Sequence, residues 1–164
     1  MARILALVAR TLLAALLLAG SAAAEVVDLP NTRATVTLDT TWMPVAAPGL
    51  VAAYKTQSGH LLAITRAQVA NADAWRDKTR DAYVEQIERG LIAGSEKRVA
   101  RKLHVLHGVP TLDVELRTRD GATALIRLLL FRTYALSLAI EIPRRADVKV
   151  ARAALASFTP PPPE

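Results

Sequence analysis

The chain has 164 residues, 21 Lys and Arg against 15 Asp and Glu, a net charge of +6 and no cysteine. Without cysteine there is no disulfide framework, thiolate zinc site, thiol nucleophile or iron–sulfur cluster, so stability must come from packing. Two of the cations, Arg3 and Arg10, lie in an apolar leader; the remaining 19 stand against 15 acids, a balance of +4 that is far from a nucleic-acid signature.

The leader is Met1 to Ala24. Arg3 and Arg10 precede the apolar run Leu12 to Ala19, and Ala22-Ala23-Ala24 closes it. Charge, apolar core and small-residue exit make a secretory signal peptide, with the mature protein beginning near Glu25. A spanning anchor would need about 20 apolar residues; Arg10 interrupts the leader's apolar stretch, and only Thr11 to Ala19 is cleanly apolar before Gly20-Ser21. The expected location is periplasmic or secreted, with membrane contact only through an uncleaved leader. The Ala and Arg richness fits a GC-rich bacterial genome. Glu25 to Thr159 is expected to form one domain, large enough for a core of its own. Pro160 to Glu164 is expected to be an extended, exposed tail.

Val26 to Leu29 is a short apolar segment ended by Pro30-Asn31. Arg33 to Leu38 alternates, with Ala34, Val36 and Leu38 on one side, and predicts a half-buried strand. Asp39 to Pro48, with Trp42 and two prolines, reads as a loop. Leu50 to Thr56 and Leu61 to Gln68 predict a hairpin across Gln57-Ser58-Gly59-His60, with Gly59 at positive φ.

Asp73 to Ala93 predicts a long surface helix. Trp75, Thr79, Ala82, Tyr83, Ile87 and Leu91 recur at steps of three and four, and Arg76, Asp77, Arg80, Asp81, Glu85, Glu88 and Arg89 fill the other arc. Asn71 or Asp73 suits its start and Gly94 its end. Four strands follow: Arg98 to His107, Thr111 to Arg119, Thr123 to Phe131 and Tyr134 to Ile142. Gly108-Val109-Pro110 separates the first two. Asp147 is placed to cap a short helix through Ser157, with Val148, Ala151, Leu155 and Phe158 facing a core.

Parity fixes one register. A two-residue turn at Asp120-Gly121 would set Glu115 beside Ile126 and Asp113 beside Leu128. A three-residue loop, Arg119-Asp120-Gly121, instead pairs Val114 with Ile126, Leu112 with Leu128 and Asp113 with Arg127, because a one-residue shift turns every side chain to the other face. The three-residue loop is the expectation. Thr123 to Phe131 is apolar on both sides and should be an interior strand. Its neighbour carries Leu136, Leu138, Ile140 and Ile142 on one side and the small Ala135, Ser137 and Ala139 on the other, where a helix can sit close.

No reactive constellation emerges. His104 and His107 lie three apart on a strand and point to opposite faces, so they cannot share a metal ion; they and His60 read as ordinary surface histidines. Ser58-Gly59-His60 is too local for a catalytic triad, GxSxG is absent, and Ser95 and Ser137 lack partners. Asp113 and Glu115, with Glu141 two strands away, alternate with Arg117, Arg119 and Arg127 as a salt-bridged sheet face. No Gly-rich phosphate loop supports a nucleotide, and Trp42 and Trp75 read as core or loop anchors. No metal or cofactor is expected. The candidate contact surface is a basic rim, Lys97, Arg98, Arg101, Lys102, Arg144 and Arg145, facing an envelope protein or another anionic surface.

The order of elements, with Trp42-x-Pro44, His107-Gly108-x-Pro110, Tyr134-Ala135-Leu136 and Ser157-Phe158, resembles the PsbP-like α/β/α sandwich family and its small exported bacterial relatives, over roughly Glu25 to Thr159. The resemblance implies an α+β fold: a mainly antiparallel sheet, a long helix inserted after the first strands and a short C-terminal helix. It implies a non-catalytic accessory or binding module, often serving a larger protein assembly, with no catalytic residues to carry over. The Arg132-Thr133 connection departs from the glycine-containing turn of relatives and leaves the register of the last hairpin open. A helix-grip lipid-binding fold competes, but wants a longer terminal helix. The expected function is therefore an exported accessory module acting through protein–protein contacts; binding of a small apolar or lipidic ligand, and hydrolysis through Asp113, Glu115 or a histidine, are the alternatives.

Overall fold

A computed structural model describes residues 24–68, 77–93 and 97–162. The leader, Asn71, Asp73, Trp75, Gly94, Ser95 and the end of the tail lie outside the described residues. Nine strands and two helices are assigned within them: β1 (Glu25–Asp28), β2 (Thr35–Leu38), β3 (Trp42–Pro44), β4 (Ala52–Thr56), β5 (Leu61–Gln68), α1 (Asp77–Ala93), β6 (Lys97–Leu106), β7 (Val109–Arg117), β8 (Thr123–Leu130), β9 (Tyr134–Ile142) and α2 (Val148–Ala156). The class is α+β with a mainly antiparallel sheet. Seven strands form one sheet in the order β3-β4-β5-β9-β8-β7-β6, and β1-β2 is a separate hairpin.

The sheet separates two apolar clusters. On one face Leu62 and Ile64 of β5, Leu125 and Leu129 of β8 and the Leu136, Leu138, Ile140 and Ile142 row of β9 pack with Val36 and Leu38 of β2 and with Ala151, Ala154 and Phe158 at α2. On the other, Val84 of α1 joins Leu112, Val114 and Leu116 of β7, Ile126, Leu128 and Leu130 of β8 and Ala135 of β9. Period-two alternation makes this division possible, since neighbouring residues serve opposite clusters. The small Ala135 and Ala139 side of β9 is the side that meets Tyr83 and Val84.

The three-residue loop at Arg119-Asp120-Gly121 is present. Val114 pairs with Ile126, Leu112 with Leu128 and Asp113 with Arg127, and Gly121 has φ +82°. The last hairpin, open in the sequence, closes through a two-residue turn. Leu130 pairs with Ala135, the Phe131 N–H donates to the Tyr134 carbonyl at 2.9 Å, and neither Arg132 nor Thr133 takes a positive φ, so no glycine is required.

Four expectations are corrected. The Asp39–Pro48 segment is not all loop, because Trp42 to Pro44 pairs with Thr56 to Tyr54 at the sheet edge. The turn after β6 is His107-Gly108, not Gly108-Val109-Pro110. Both turn residues have positive φ, +49° and +83°, the type I′ geometry whose twist suits a tight hairpin, and Pro110 pairs with Val105. His60 is not a surface residue. It is 1% exposed, with Nε2 2.9 Å from the Asp147 carbonyl oxygen. That oxygen only accepts, so Nε2 carries the proton and Nδ1 faces the hydroxyls of Ser58 at 3.0 Å and Thr56 at 3.2 Å. Finally, the tail is not free at its start. Thr35 and Thr159 exchange two backbone hydrogen bonds of 3.0 and 2.9 Å, the Ser157 hydroxyl donates to the Thr37 carbonyl, and Pro160 and Pro161 are buried.

Candidate functional site

β6 forms one edge of the sheet and is 10 residues long, whereas the opposite edge, β3, has three. Its pairing to β7 slips by one between Arg98 and Ala100. The extra residue, Val99, is a bulge, and it changes which side chains share a face. Arg98 and Arg101 would otherwise point oppositely. With the bulge they pair with Leu116 and Val114, and so both face α1.

There they meet Glu88. Arg101 Nε donates to Glu88 Oε2 at 2.8 Å, and Arg98 Nη1 donates to Oε1. Glu88 was expected on the solvent arc of its helix; it is 6% exposed, and Ala82, expected on the apolar stripe, is exposed. Burial would raise the Glu88 pKa, but the hydrogen bonds and charges of Arg101 and Arg98 outweigh it and hold the carboxyl below its ordinary value. The side chains of Thr79, Ile87 and Leu91 lie outside the described residues.

The other face of β6 carries Lys97, Ala100 and Lys102, which pair with Arg117, Glu115 and Asp113. α2 reaches β8 and β9 but stops short of the edge. Between them lies a cleft of about 240 Å³ lined by Ala100, Lys102, Asp113, Glu115, Arg152 and Leu155. Asp113, Glu115 and Arg152 in its lining belong to a set of ion pairs. Arg127 donates from Nε to Asp113 Oδ1 at 2.8 Å and from Nη2 to Oδ2 at 2.9 Å, and from Nη1 to the Leu155 carbonyl at 2.8 Å. His104 Nε2 lies 3.0 Å from Asp113 Oδ2. Arg152 Nη2 is 3.3 Å from Glu115 Oε2. Burial pushes the Asp113 pKa up, but the bonds and charges from Arg127 and His104 prevail and lower it. Asp113 is thus a spent carboxylate: both oxygens are occupied and its charge is matched.

The six expected rim residues therefore do not form one surface. Arg98 and Arg101 are committed to Glu88. Lys97 and Lys102 have no ion pair among the described residues and face the cleft side. Arg144 and Arg145 are exposed in the connection from β9 to α2, with Arg144 against the Gly121 turn. Sequence reading missed Arg152 and the His104–Asp113 contact. The second had a signal: on paired antiparallel strands, His104 and Asp113 fall on the same face one step apart. Along β6, the cations end at Lys102 and apolar side chains follow: Leu103 is 47% exposed and Val105 67%.

Among the described residues no group of His, Asp or Glu gathers as metal ligands, and no helix is long and apolar enough to cross a membrane.

No protein-family model matches the chain, and no curated protein matches it in sequence. Solved structures do. Cyanobacterial PsbP (CyanoP) from Synechocystis, a solution structure, is similar over 87% of this chain and 95% of that one, at 12% identity and a TM-score of 0.59. A Pseudomonas aeruginosa protein of unknown function is similar over 85% and 98%, at 13% identity and a TM-score of 0.45. A Bacteroides thetaiotaomicron protein is similar over 78% of this chain and 45% of that one, at 10% identity and a TM-score of 0.47. The likeness to CyanoP shows a PsbP-like fold.

Proposed function

On the premise of that fold, we propose that the protein is an exported, non-catalytic accessory module of the bacterial envelope, periplasmic or secreted, working through contacts with another envelope protein. The reading takes the whole body as a three-layer α/β/α sandwich with α1 as one outer layer. The observation that carries it is the long β6 edge: a row of backbone donors and acceptors with no strand beside it among the described residues, cationic in its first half and apolar in its second. Three further features support it. The Met1–Ala24 pattern is that of an export signal. The carboxylates of the cleft are held by Arg127, His104 and Arg152. Lys97, Lys102, Arg144 and Arg145 leave a positive rim for an anionic partner surface.

A photo-crosslinking residue at Val105, with a second at Met43 on the β3 edge as control, tests the reading in intact cells. A periplasmic protein starting at Glu25 that crosslinks one partner from Val105 but not from Met43, with a yield that falls as salt is raised, is the expected result. A protein retained in the cytoplasm, or one with equal labelling from the two edges, would overturn it.

A further inference from the structure

We infer that the outer edge of β6 accepts an extended protein segment of alternating acidic and apolar residues as an eighth strand. This rests on the binding-module reading and gives its partner a chemistry.

The ladder defines what the edge offers. Across the His107-Gly108 turn, Leu106 and Val109 form the closing hydrogen-bonded pair of a two-residue hairpin. Alternation then directs the N–H and C=O of Leu106, His104 and Lys102 toward β7, and those of Val105, Leu103 and Arg101 outward. Three consecutive outward residues suffice to register an added strand.

The usual protection of an edge is weak here. Edges are normally blunted by charge, shortness or a bulge. The β3 edge is short. The β6 edge has cations, but Glu88 draws Arg98 and Arg101 back over the sheet, and the Val99 bulge lies at the N-terminal end. From Leu103 to Leu106 the strand pairs with β7 without a register shift, carries no acid or permanent cation, and exposes Leu103 and Val105.

The two faces ask for different side chains. On the α2 side an incoming strand passes Lys102, Lys97 and the mouth of the cleft, where Asp113 and Glu115 are already matched by Arg127 and Arg152. The residual charge is positive and favours a carboxylate. On the α1 side it passes Leu103 and Val105 and favours an aliphatic. Since successive strand residues point to opposite faces, the matching segment alternates acid and aliphatic. A second copy of this chain fits less well, because it would bring another Lys97-to-Lys102 cation run to the same edge.

The test uses the mature protein and the capped peptide Glu-Val-Glu-Val-Glu-Val-Glu-Val, followed by amide NMR and hydrogen exchange. Shifts and at least tenfold slower exchange are expected at the Arg101, Leu103 and Val105 amides. A Lys-Val peptide of equal length should bind at least tenfold more weakly. V105P removes one outward donor while sparing the bonds to β7, a placement proline tolerates on edges; it should weaken binding tenfold or more at unchanged thermal midpoint. K102E should weaken it similarly, and its fold is checked by the same midpoint. Unmoved β6 amides, equal binding of the Lys-Val peptide, or a concentration-dependent dimer through β6 without peptide would each overturn the inference. A Val105 crosslink in cells with no peptide binding would sink this partner chemistry and leave the module reading standing.

Discussion

Asp113 and Arg127 stand directly opposite one another on β7 and β8, and the guanidinium meets the carboxylate through two parallel hydrogen bonds while its third donor reaches the Leu155 carbonyl. One side chain thus ties two strands to the C-terminal helix. Such two-point contacts hold direction as well as charge, and so fix how α2 lies over β7 and β8.

Removing that guanidinium should loosen the join. R127M leaves the half-buried Asp113 with His104 alone and the Leu155 carbonyl without its donor. A loss of about 2 kcal/mol is expected, read as a lower urea midpoint at unchanged slope. Faster amide exchange in α2 than in β5 would locate the damage.

Acid should act through the same carboxylate and through Glu88. Both have pKa values lowered in the folded state. Their contribution is complete above the unfolded carboxyl values, about 4, and is lost as pH falls through the lower folded values. Stability should therefore fall below about pH 4 on account of these two groups. D113N should be less stable than the parent at pH 7 and show a shallower acid decline. Urea midpoints from pH 2.5 to 7 measure both.

Glu88 anchors α1 to the edge strand. E88Q removes the charge that two guanidinium groups share, and about 1–2 kcal/mol should go with it. Amides of α1 and of the Arg98–Arg101 stretch should exchange faster, while those of β5 and β9 stay protected. Uniform acceleration would mean that Glu88 matters to the whole fold instead.

Gly59, in the turn from β4 to β5, and Gly121, in the three-residue loop from β7 to β8, have φ +90° and +82°. A Cβ there carries the left-handed cost of about 1 kcal/mol. At Gly121 it would meet Arg144 Cδ at 3.3 Å, on a side chain that can swing away; at Gly59 it would meet Pro143 Cγ at 3.1 Å, on a ring that cannot. G59A should therefore be the more destabilising of the two by thermal denaturation.

Local and pairwise patterns made much of the sheet readable in advance. Val114 and Ile126 could share a face only if Arg119 to Gly121 formed the loop, because the alternative placed carboxylates among aliphatics. Pro110 misled because proline ends most strands. Here it lies one step before the first β7–β8 pair, Thr111–Leu129, where its missing N–H is not needed. His60 was illegible for a different reason: the carbonyl that buries it belongs to Asp147, 87 residues away. The basic rim was visible as composition, but its division was not. That depended on an extra residue at Val99, which no periodicity announces, and on a helical glutamate whose partners arrive only with the next strand.

The paired bonds between Thr35 and Thr159 have a kinetic meaning. The β1-β2 hairpin completes its burial only when a segment more than a hundred residues downstream returns to it. A ribosome must therefore release the chain as far as Thr159 before this corner can form. Folding should be slow for a protein of its size, as distant closures make it.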